Sequence, residues 1–225
     1  MPSLVPNRFL VKMVHPCPHV KALPLNDDGD DHLVALPDAA RLRNYAELDA
    51  RVNFAEVRIG WNDFGLGLTV EVPGKVQPPL CDEEKPRTSD GLHFWLDMRD
   101  TRESHRATRF CRQFYFLPSG GGPDKSEPCC GQLKINRATQ DAELCRPEEI
   151  AFKATTDGKK RGYRLEAFLP ATVLAGFDPE QFPRLGVYYH LRDGELGDQY
   201  LSVSTDFPFS DDPSLWEILE LKPAR

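Results

Sequence analysis

The sequence predicts an all-β protein: an antiparallel two-sheet β-sandwich of the jelly-roll or immunoglobulin-like kind, with little helix. Short segments of alternating apolar and polar residues recur at intervals of about 8 to 12 residues, which is typical of antiparallel sandwiches. The 16 glycines and 20 prolines are spread between these segments as turn residues, and apolar residues make up 40% of the 225-residue chain. That apolar fraction is enough to build a packed core, and helical periodicity is almost absent.

The clearest pair of strands lies at 57–61 and 66–72, where Val57, Ile59 and Trp61 alternate with Arg58 and Gly60. A turn at 62–65 joins the two segments, so together they predict a hairpin with one buried face. The same alternation predicts between nine and eleven strands in all. The others are expected at 32–36, 91–98, 113–117, 150–155, 162–169, 185–192, 199–205 and 216–221, with a short one at 133–136.

The chain is predicted to fold as one domain with an N-terminal extension. Residues 1–25 contain five prolines, each of which lacks an amide donor, so this arm is expected to be extended, either as an edge strand or as a cover. Residues 26–225 are expected to form a single β-sandwich domain. Its one long irregular insertion is expected at about 118–149, a stretch rich in glycine and proline.

Charge and apolar patterning exclude several classes of protein. The net charge is −7 and no long run of Lys or Arg is present, which argues against a nucleic-acid partner. Residues 1–22 are too often interrupted by polar residues for a signal peptide, and no run approaches the roughly 18 apolar residues of a membrane span. A soluble cytoplasmic protein is expected. Its six cysteines are interpreted mostly as free thiols, although their even number leaves disulfides open.

Four segments stand in an order that resembles a known family. They are Trp61-Asn-Asp with the following Gly65-Leu-Gly-Leu-Thr-Val, the strand 89–97 that runs from Ser-Asp to Asp, the strand 162–170 that runs from Gly-Tyr through Glu to Pro, and the closing Trp216-Glu-Ile-Leu-Glu-Leu. Together they resemble family 9 carbohydrate-binding modules and the related cytochrome-like (DOMON-like) β-sandwich domains. The resemblance extends over roughly residues 30–222.

This resemblance implies a jelly-roll sandwich that binds a saccharide on a concave sheet face, sometimes holds structural calcium, and is usually attached to a glycoside hydrolase. Well-known members clamp a terminal sugar between two tryptophans. The first tryptophan would fall in 85–89 of this chain, which has no aromatic residue, and Phe207 or Phe209 stands near the second. The described clamp is therefore not preserved.

Two further positions depart from the family. The glutamate that helps to hold the sugar corresponds to His93, and the sugar-binding arginine corresponds to Tyr115 or a neighbour, with Arg112 close by. The chain also shows no attached hydrolase domain. These departures leave the alternative that the sugar site has been lost and that the sandwich is a protein-interaction or scaffold domain.

Side-chain alternation along the strands predicts a ligand-binding face. If 91–98, 113–117 and 185–192 share a sheet, one face carries a mixture of aromatic and polar groups. Flat rings can stack on a pyranose, while amide, guanidinium and imidazole groups bind its hydroxyls. The competing interpretation is a face covered by loops, with Trp95 in the core. The seven predicted ligand-binding residues are His93, Trp95, Gln113, Tyr115, Tyr188, His190 and Arg192.

A cluster of basic residues follows the 91–98 strand, and it has two interpretations. It could bind an acidic sugar or another carboxylate. The alternative, which we favour at this point, is a solvated loop in which the bases pair with Asp97, Asp100 and Glu103. The basic residues are Arg99, Arg102, His105, Arg106 and Arg109.

Three groups have side chains that can bind metals, and none has a complete ligand pattern. His15, Cys17 and His19 alternate along the arm but lack a fourth zinc ligand. Cys129, Cys130 and Cys145 lack the paired spacing of zinc sites, and the acidic turn at 26–31 does not match an EF-hand. No cofactor is expected apart from the structural calcium that the resemblance implies.

Motifs of common enzyme classes are absent. The sequence has no G-x-S-x-G, P-loop, dinucleotide-binding G-x-G-x-x-G or H-E-x-x-H. Asp97 and Glu166 could act as a glycosidase pair only if the fold brought them together. The expected function is therefore non-catalytic recognition of a saccharide. The alternative function is that of an interaction or scaffold domain, and hydrolysis of a glycoside is a third hypothesis.

Overall fold

The computed structural model describes residues 7–25, 32–157 and 162–223, and it shows a sandwich of two β-sheets. The larger sheet has the order β1-β11-β9-β4-β5-β6, with β10 paired to β9, and the smaller has the order β2-β3-β8-β7. The predicted all-β sandwich is confirmed. The strands are β1 (Val14–Cys17), β2 (Glu56–Asn62), β3 (Gly65–Val72), β4 (Gly91–Asp97), β5 (Cys111–Gly121), β6 (Glu127–Leu133), β7 (Ala151–Asp157), β8 (Gly162–Pro170), β9 (Arg184–Asp193), β10 (Gly197–Tyr200) and β11 (Glu217–Leu221).

Helical structure is confined to short 3₁₀ turns in the described part of the chain. Each turn has three or four residues, too few to bury an apolar face of its own. Within the same residues, no helix has the length and apolar character needed to cross a membrane. The core is therefore built mainly from strand side chains, joined by residues of loops such as Leu42, Val173 and Phe209.

The β2–β3 hairpin forms where the alternation predicted it, with Asn62 paired to Gly65 across a two-residue turn. Gly65 has a φ of +151°, and a Cβ at this position would lie 2.1 Å from the Leu169 carbonyl oxygen of β8. Only glycine allows the backbones of β3 and β8 to approach so closely. This contact begins the register in which β3 pairs with β8.

The core lies between the two sheets. Phe94, Phe114 and Phe116 of the larger sheet are completely buried, and Phe116 contacts Phe152 of β7 with ring centroids 5.5 Å apart. Each buried side chain of this size contributes about 1.5–3 kcal/mol through loss of water contact. The residues that alternate with them on β4 and β5 therefore lie on the outer face of the larger sheet.

The N-terminal arm supplies an edge strand, β1. β1 pairs in parallel with β11, whereas the other described strand pairs are antiparallel. Pro16, which has no amide hydrogen, is tolerated because β1 lies at the end of the sheet. Further along the arm, His19 bridges to Trp61 of β2, so the arm contacts both sheets.

Two predicted strands are wrong in position or length. Residues 32–36 form no strand, because the backbone amides of Leu33 and Val34 donate to the buried Glu166 carboxylate instead of a ladder partner. The strand expected at 199–205 ends at Tyr200, after which the chain turns across the outer face of the larger sheet. In both places a side chain supplies the hydrogen bond that a neighbouring strand would have supplied.

The stretch 118–149 is less irregular than predicted. β5 continues to Gly121 after an irregularity in its register, and β6 occupies Glu127–Leu133 in place of the short strand expected at 133–136. Pro128 lies within β6 without breaking the sheet because β6 is the edge strand opposite β1. Beyond β6, residues 134–149 contain only the 3₁₀ turn Pro147–Glu149.

Candidate functional site

The strand register brings all seven predicted ligand-binding residues onto the outer face of the larger sheet. His93 is at the centre, because its partners across the ladder are Tyr115 on one side and His190 on the other. The opposite face of the same strands packs against the smaller sheet. The seven are His93 and Trp95 on β4, Gln113 and Tyr115 on β5, and Tyr188, His190 and Arg192 on β9.

One half of this face is covered by residues 201–216, which we call the covering segment. Phe209 stacks on Tyr188 with ring centroids 4.6 Å apart and meets Trp95 edge-on at 5.6 Å. The Tyr188 hydroxyl donates a hydrogen bond to the Val203 carbonyl. Trp95 is 2% exposed and Tyr188 is fully buried, so neither ring offers a flat surface to solvent. This half corresponds to the interpretation in which loops cover the face.

The other half of the face is open. Tyr115 is half-buried and Arg192 is exposed. His190 stacks on Tyr200 with centroids 4.5 Å apart, and its Nε2 lies 2.6 Å from Oδ1 of Asp198. That hydrogen bond holds the pKa of the Asp198 carboxyl below its usual value. The side chains of this half that reach solvent are Arg192 and, in part, Tyr115 and His190, while His93 lies buried among them.

Arg87 belongs to the open half, although the sequence did not identify it. It lies on the 3₁₀ turn Pro86–Thr88 before β4 and is exposed. Its Nη1 donates to Gln113 Oε1 at 3.1 Å, and its Nη2 donates to the Lys134 carbonyl at 2.7 Å. The sequence indicated only that 85–89 lacks an aromatic residue, and which of those five side chains reaches the sheet depends on how the turn folds.

Beneath the outer face, three buried polar atoms make no hydrogen bond of ordinary geometry. They are the two ring nitrogens of His93 in the open half, which have only the Pro86 carbonyl nearby, and the indole Nε1 of Trp95 in the covered half. Burial, then the nearby charges of His190 and Arg87, lowers the pKa of His93 to about 3, while the Pro86 carbonyl opposes the drop. His93 is therefore neutral at physiological pH. An unpaired buried polar group costs about 1–3 kcal/mol, so such atoms are rare without a ligand, water or other function.

Tyr115 and Gln113 complete the chemistry of the open half. Burial raises the pKa of Tyr115 to about 12, so its phenol stays neutral and can both donate and accept. The Gln113 side chain is buried, and its carbonyl oxygen accepts from Arg87. The side chains of this half can form hydrogen bonds and ion pairs, but they do not form a catalytic nucleophile–base pair.

The arm residues His15, Cys17 and His19 are not brought into one site. The Cys17 thiol donates to the Ile59 carbonyl, and the His19 ring meets Trp61 edge-on at 4.9 Å. Burial lowers the pKa of His15 to about 4. Among the described residues, no three His, Cys, Asp or Glu side chains lie close enough together to hold a metal ion.

The cysteines are free thiols in the structure, and no disulfide joins them. Burial raises the pKa of Cys111, Cys129 and Cys130 to about 12, so these thiols stay protonated and are poor metal ligands at neutral pH. The predicted acidic turn at 26–31 lies outside the described residues.

The pair of buried carboxylates at one end of the larger sheet does not fit a structural calcium ion. The ammonium of Lys75 lies 2.8 Å from Asp193 Oδ1 and 3.4 Å from Asp90 Oδ2, and all three side chains are buried. Lys75 offsets one of the two negative charges, and the described residues bring no third His, Cys, Asp or Glu ligand to the pair, whereas calcium takes roughly six to eight oxygen ligands.

The basic cluster after β4 is largely paired within the protein. Arg102 binds Asp100 at 2.9 Å, and His105 Nδ1 lies 3.1 Å from Asp212. Arg99 donates to the Gly176 carbonyl and lies over the Phe110 ring at 4.2 Å. These contacts agree with the favoured interpretation of an internally paired loop.

Asp97 and Glu166 are on different sheets and are both engaged in the fold. Asp97 accepts from the backbone amides of Arg99 and Thr101, which fixes the turn after β4. Burial acts to raise the pKa of Glu166, but hydrogen bonds from Arg164, His32 and two backbone amides outweigh it, and the pKa is lowered. Neither carboxylate is placed as half of a glycosidase pair.

A second depression lies away from this face, at the edge of the sandwich beside the N-terminal arm. It has a volume of about 940 Å³, and its lining includes His15, Asn53 and Arg41. His15 Nε2 and Asn53 Oδ1 are buried without a partner. The cleft is polar, but arginine and acid alternate on its rim, as in the 3.2 Å pair of Arg41 with Glu56, so its charge favours no one class of ligand.

No protein-family model and no curated protein matches the chain. Solved structures do match it. A family 9 carbohydrate-binding module from Caldicellulosiruptor kristjanssonii in complex with cellotriose superposes with a TM-score of 0.60 at 15% sequence identity, over 95% of each chain. A family 9 module of the same organism in complex with glucose gives 0.61 at 13% identity, over 95% of this chain and 97% of the other. The protein therefore has the fold of family 9 carbohydrate-binding modules.

Proposed function

We propose that the protein is a non-catalytic carbohydrate-binding module that binds a saccharide on the open half of the outer face. The observation that carries the proposal is the group of unpartnered buried atoms on His93 and Trp95 beneath an exposed polar rim. The shared fold adds support, since both solved structures reported above are modules with bound sugars. The hydroxyls of a saccharide both donate and accept hydrogen bonds, so they could supply the partners that these atoms lack.

Binding would use the side chains around His93. Arg87 covers Gln113, and binding would require its exposed side chain to move aside. A sugar hydroxyl could then accept from the indole N–H of Trp95 and exchange hydrogen bonds with the neutral His93 ring. Tyr115, His190 and Arg192 would contact the ring from the sides. The buried rings of Trp95 and Tyr188 would support the site from below rather than stack on the sugar.

A pair of arginines on one strand provides the test. Arg192 and Arg184 are both exposed on β9, with side chains on the same face, but they are eight residues or roughly 26 Å apart. Arg192→Ala is expected to weaken binding of a glycan found in a broad panel by about tenfold, through loss of a charge-assisted hydrogen bond. Arg184→Ala is expected to leave it unchanged, and both variants should unfold at the wild-type temperature. Equal affinity of the two variants for the glycan would mean that Arg192 does not contact it.

The scaffold alternative has its own supporting observation, which is the burial of Trp95 and Tyr188 under Phe209. If no glycan in the panel binds, while a protein partner is retained by wild type and lost on substitution of the open half, the scaffold alternative replaces the carbohydrate one.

A further inference from the structure

The open half of the outer face has more hydrogen-bond donors than acceptors. The unpartnered groups beneath the outer face include the indole N–H of Trp95, which can only donate, and the neutral His93 ring, which donates once and accepts once. Two of the acceptors nearby are occupied, Gln113 Oε1 by Arg87 and Asp198 Oδ1 by His190, and the Tyr115 phenol both donates and accepts. A ligand that fills this site must therefore supply acceptors.

The same half also carries more positive than negative charge. Arg87 hydrogen-bonds only to neutral oxygens, and Arg192 has no hydrogen-bond or ion-pair partner among the described residues. Arg51 lies over the Tyr200 ring at 6.0 Å and reaches Ser204, a neutral partner as well. The local excess of cations contrasts with the net charge of −7 for the whole chain.

The acid of β10 that faces this half is shared among several cations. Asp198 lies opposite Arg192 in the ladder and 2.6 Å from His190. The hydrogen bond from His190 lowers the pKa of its carboxyl most, and the charges of Arg192 and Arg51 lower it further. Glu83 lies beyond Tyr115, on the turn before β4. Burial is the largest influence on His93, but the charges of His190, Arg87 and Arg192 also act to lower its pKa, so the field at the centre of the face is positive.

Arg87 and Arg192 lie on opposite sides of His93. Arg87 contacts the β5 side of the face through Gln113, and Arg192 extends from β9, opposite Gly91 at the start of β4. β5 and β9 flank β4, two strand spacings or about 10 Å apart, and Gln113 lies level with Trp95 whereas Arg192 lies four residues away, level with Gly91. The two anchor points are therefore about 16 Å apart with His93 between them, and each arginine has to extend toward His93 to share one ligand group. Guanidinium groups bind carboxylates with two parallel hydrogen bonds, which a single hydroxyl cannot match.

We infer that the saccharide recognised on this face is acidic, a uronic acid unit whose carboxylate is bound by Arg87 and Arg192 above His93. This inference rests on the proposed function, because it names the class of saccharide for the same site.

Matched neutral and acidic oligosaccharides test it. Trisaccharides of β-1,4-linked glucose and of β-1,4-linked glucuronate differ only by oxidation of C6, and galactose–galacturonate and mannose–mannuronate pairs extend the series. In calorimetric titrations at low salt, the acidic member of at least one pair should bind about tenfold or more tightly than the neutral one. Ionic strength of about 0.5 M should reduce this preference by screening.

Variants assign the preference to the two arginines. Arg87→Ala and Arg192→Ala should each remove most of the acidic preference, whereas Arg184→Ala should retain it. Arg87→Lys, which keeps the charge but loses the planar fork, should fall between wild type and Arg87→Ala. Equal binding of both members of every pair, or a preference for neutral sugars, would overturn the inference and leave the proposed function standing. Failure of all six sugars to bind would overturn both the inference and the proposed function. An acidic preference that both Arg87→Ala and Arg192→Ala retain would overturn the inference alone.

Discussion

Lys75 shows how one residue can determine the stability of the sheet end beside the proposed binding face. It is 2% exposed, and its ammonium lies between Asp193 and Asp90, which also accept backbone hydrogen bonds from Leu196 and Gly194, respectively. Burying three charged groups is favourable only while opposite charges compensate one another. Removing the single cation would leave two carboxylates buried side by side.

We therefore expect Lys75→Met to lower the free energy of unfolding by about 3–5 kcal/mol, measured by urea denaturation at neutral pH. Lys134→Met is the matched control, because the Lys134 pair with Asp141 has a similar 2.7 Å length but is exposed. That substitution should cost less than about 1 kcal/mol. Similar losses in the two variants would mean that the buried cation contributes no more than a surface pair.

At the scale of elements, the sequence predicted the strands whose alternation is intact. The β2–β3 hairpin and β4, β8 and β9 are confirmed to within a residue or two, because their apolar sets must face one core. Alternation also sorted the seven candidate residues correctly onto one face. It failed at 32–36, where the buried Glu166 side chain takes the place of a neighbouring strand.

The parts of the site that the sequence did not predict depend on contacts between distant segments. Burial of Trp95 follows from Phe209, which is more than a hundred residues away along the chain and has no periodic relation to β4. Arg87 could not be distinguished from its neighbours, because its contact with Gln113 is set by the 3₁₀ turn before β4. Strand patterns fix which face a residue occupies, but they do not fix which loops cover that face.

For the molecule as a whole, two buried histidines make stability depend on pH. Burial lowers the pKa of His15 to about 4, and burial with nearby charges lowers that of His93 to about 3. The unfolded chain binds a proton at each below about pH 6.5, whereas the folded chain does not, so their contribution is complete above pH 6.5 and is lost as the pH falls. Glu217, whose pKa burial raises, acts in the opposite direction near its own pKa.

Each histidine should cost about 2 kcal/mol of stability between pH 6.5 and pH 5, because one pKa unit corresponds to about 1.4 kcal/mol. Urea denaturation at pH 7 and pH 5 measures the difference. The His15→Gln and His93→Gln variants should each lose about half of it, whatever their stability at pH 7. An unchanged pH dependence in both variants would show that these histidines titrate normally in the folded protein.

The central claim is that a saccharide binds over His93 and Trp95, and the tryptophan indoles report on it directly. The N–H of Trp61 donates to the Lys222 carbonyl and that of Trp216 to the Phe209 carbonyl, whereas that of Trp95 has no partner. In a ¹H–¹⁵N NMR titration with the matched neutral and acidic trisaccharides, saturable binding should shift the Trp95 indole resonance and leave that of Trp61 in place. Binding that leaves the Trp95 indole resonance unshifted would contradict the claim that the saccharide lies over His93 and Trp95, and so would the absence of binding by every sugar tested.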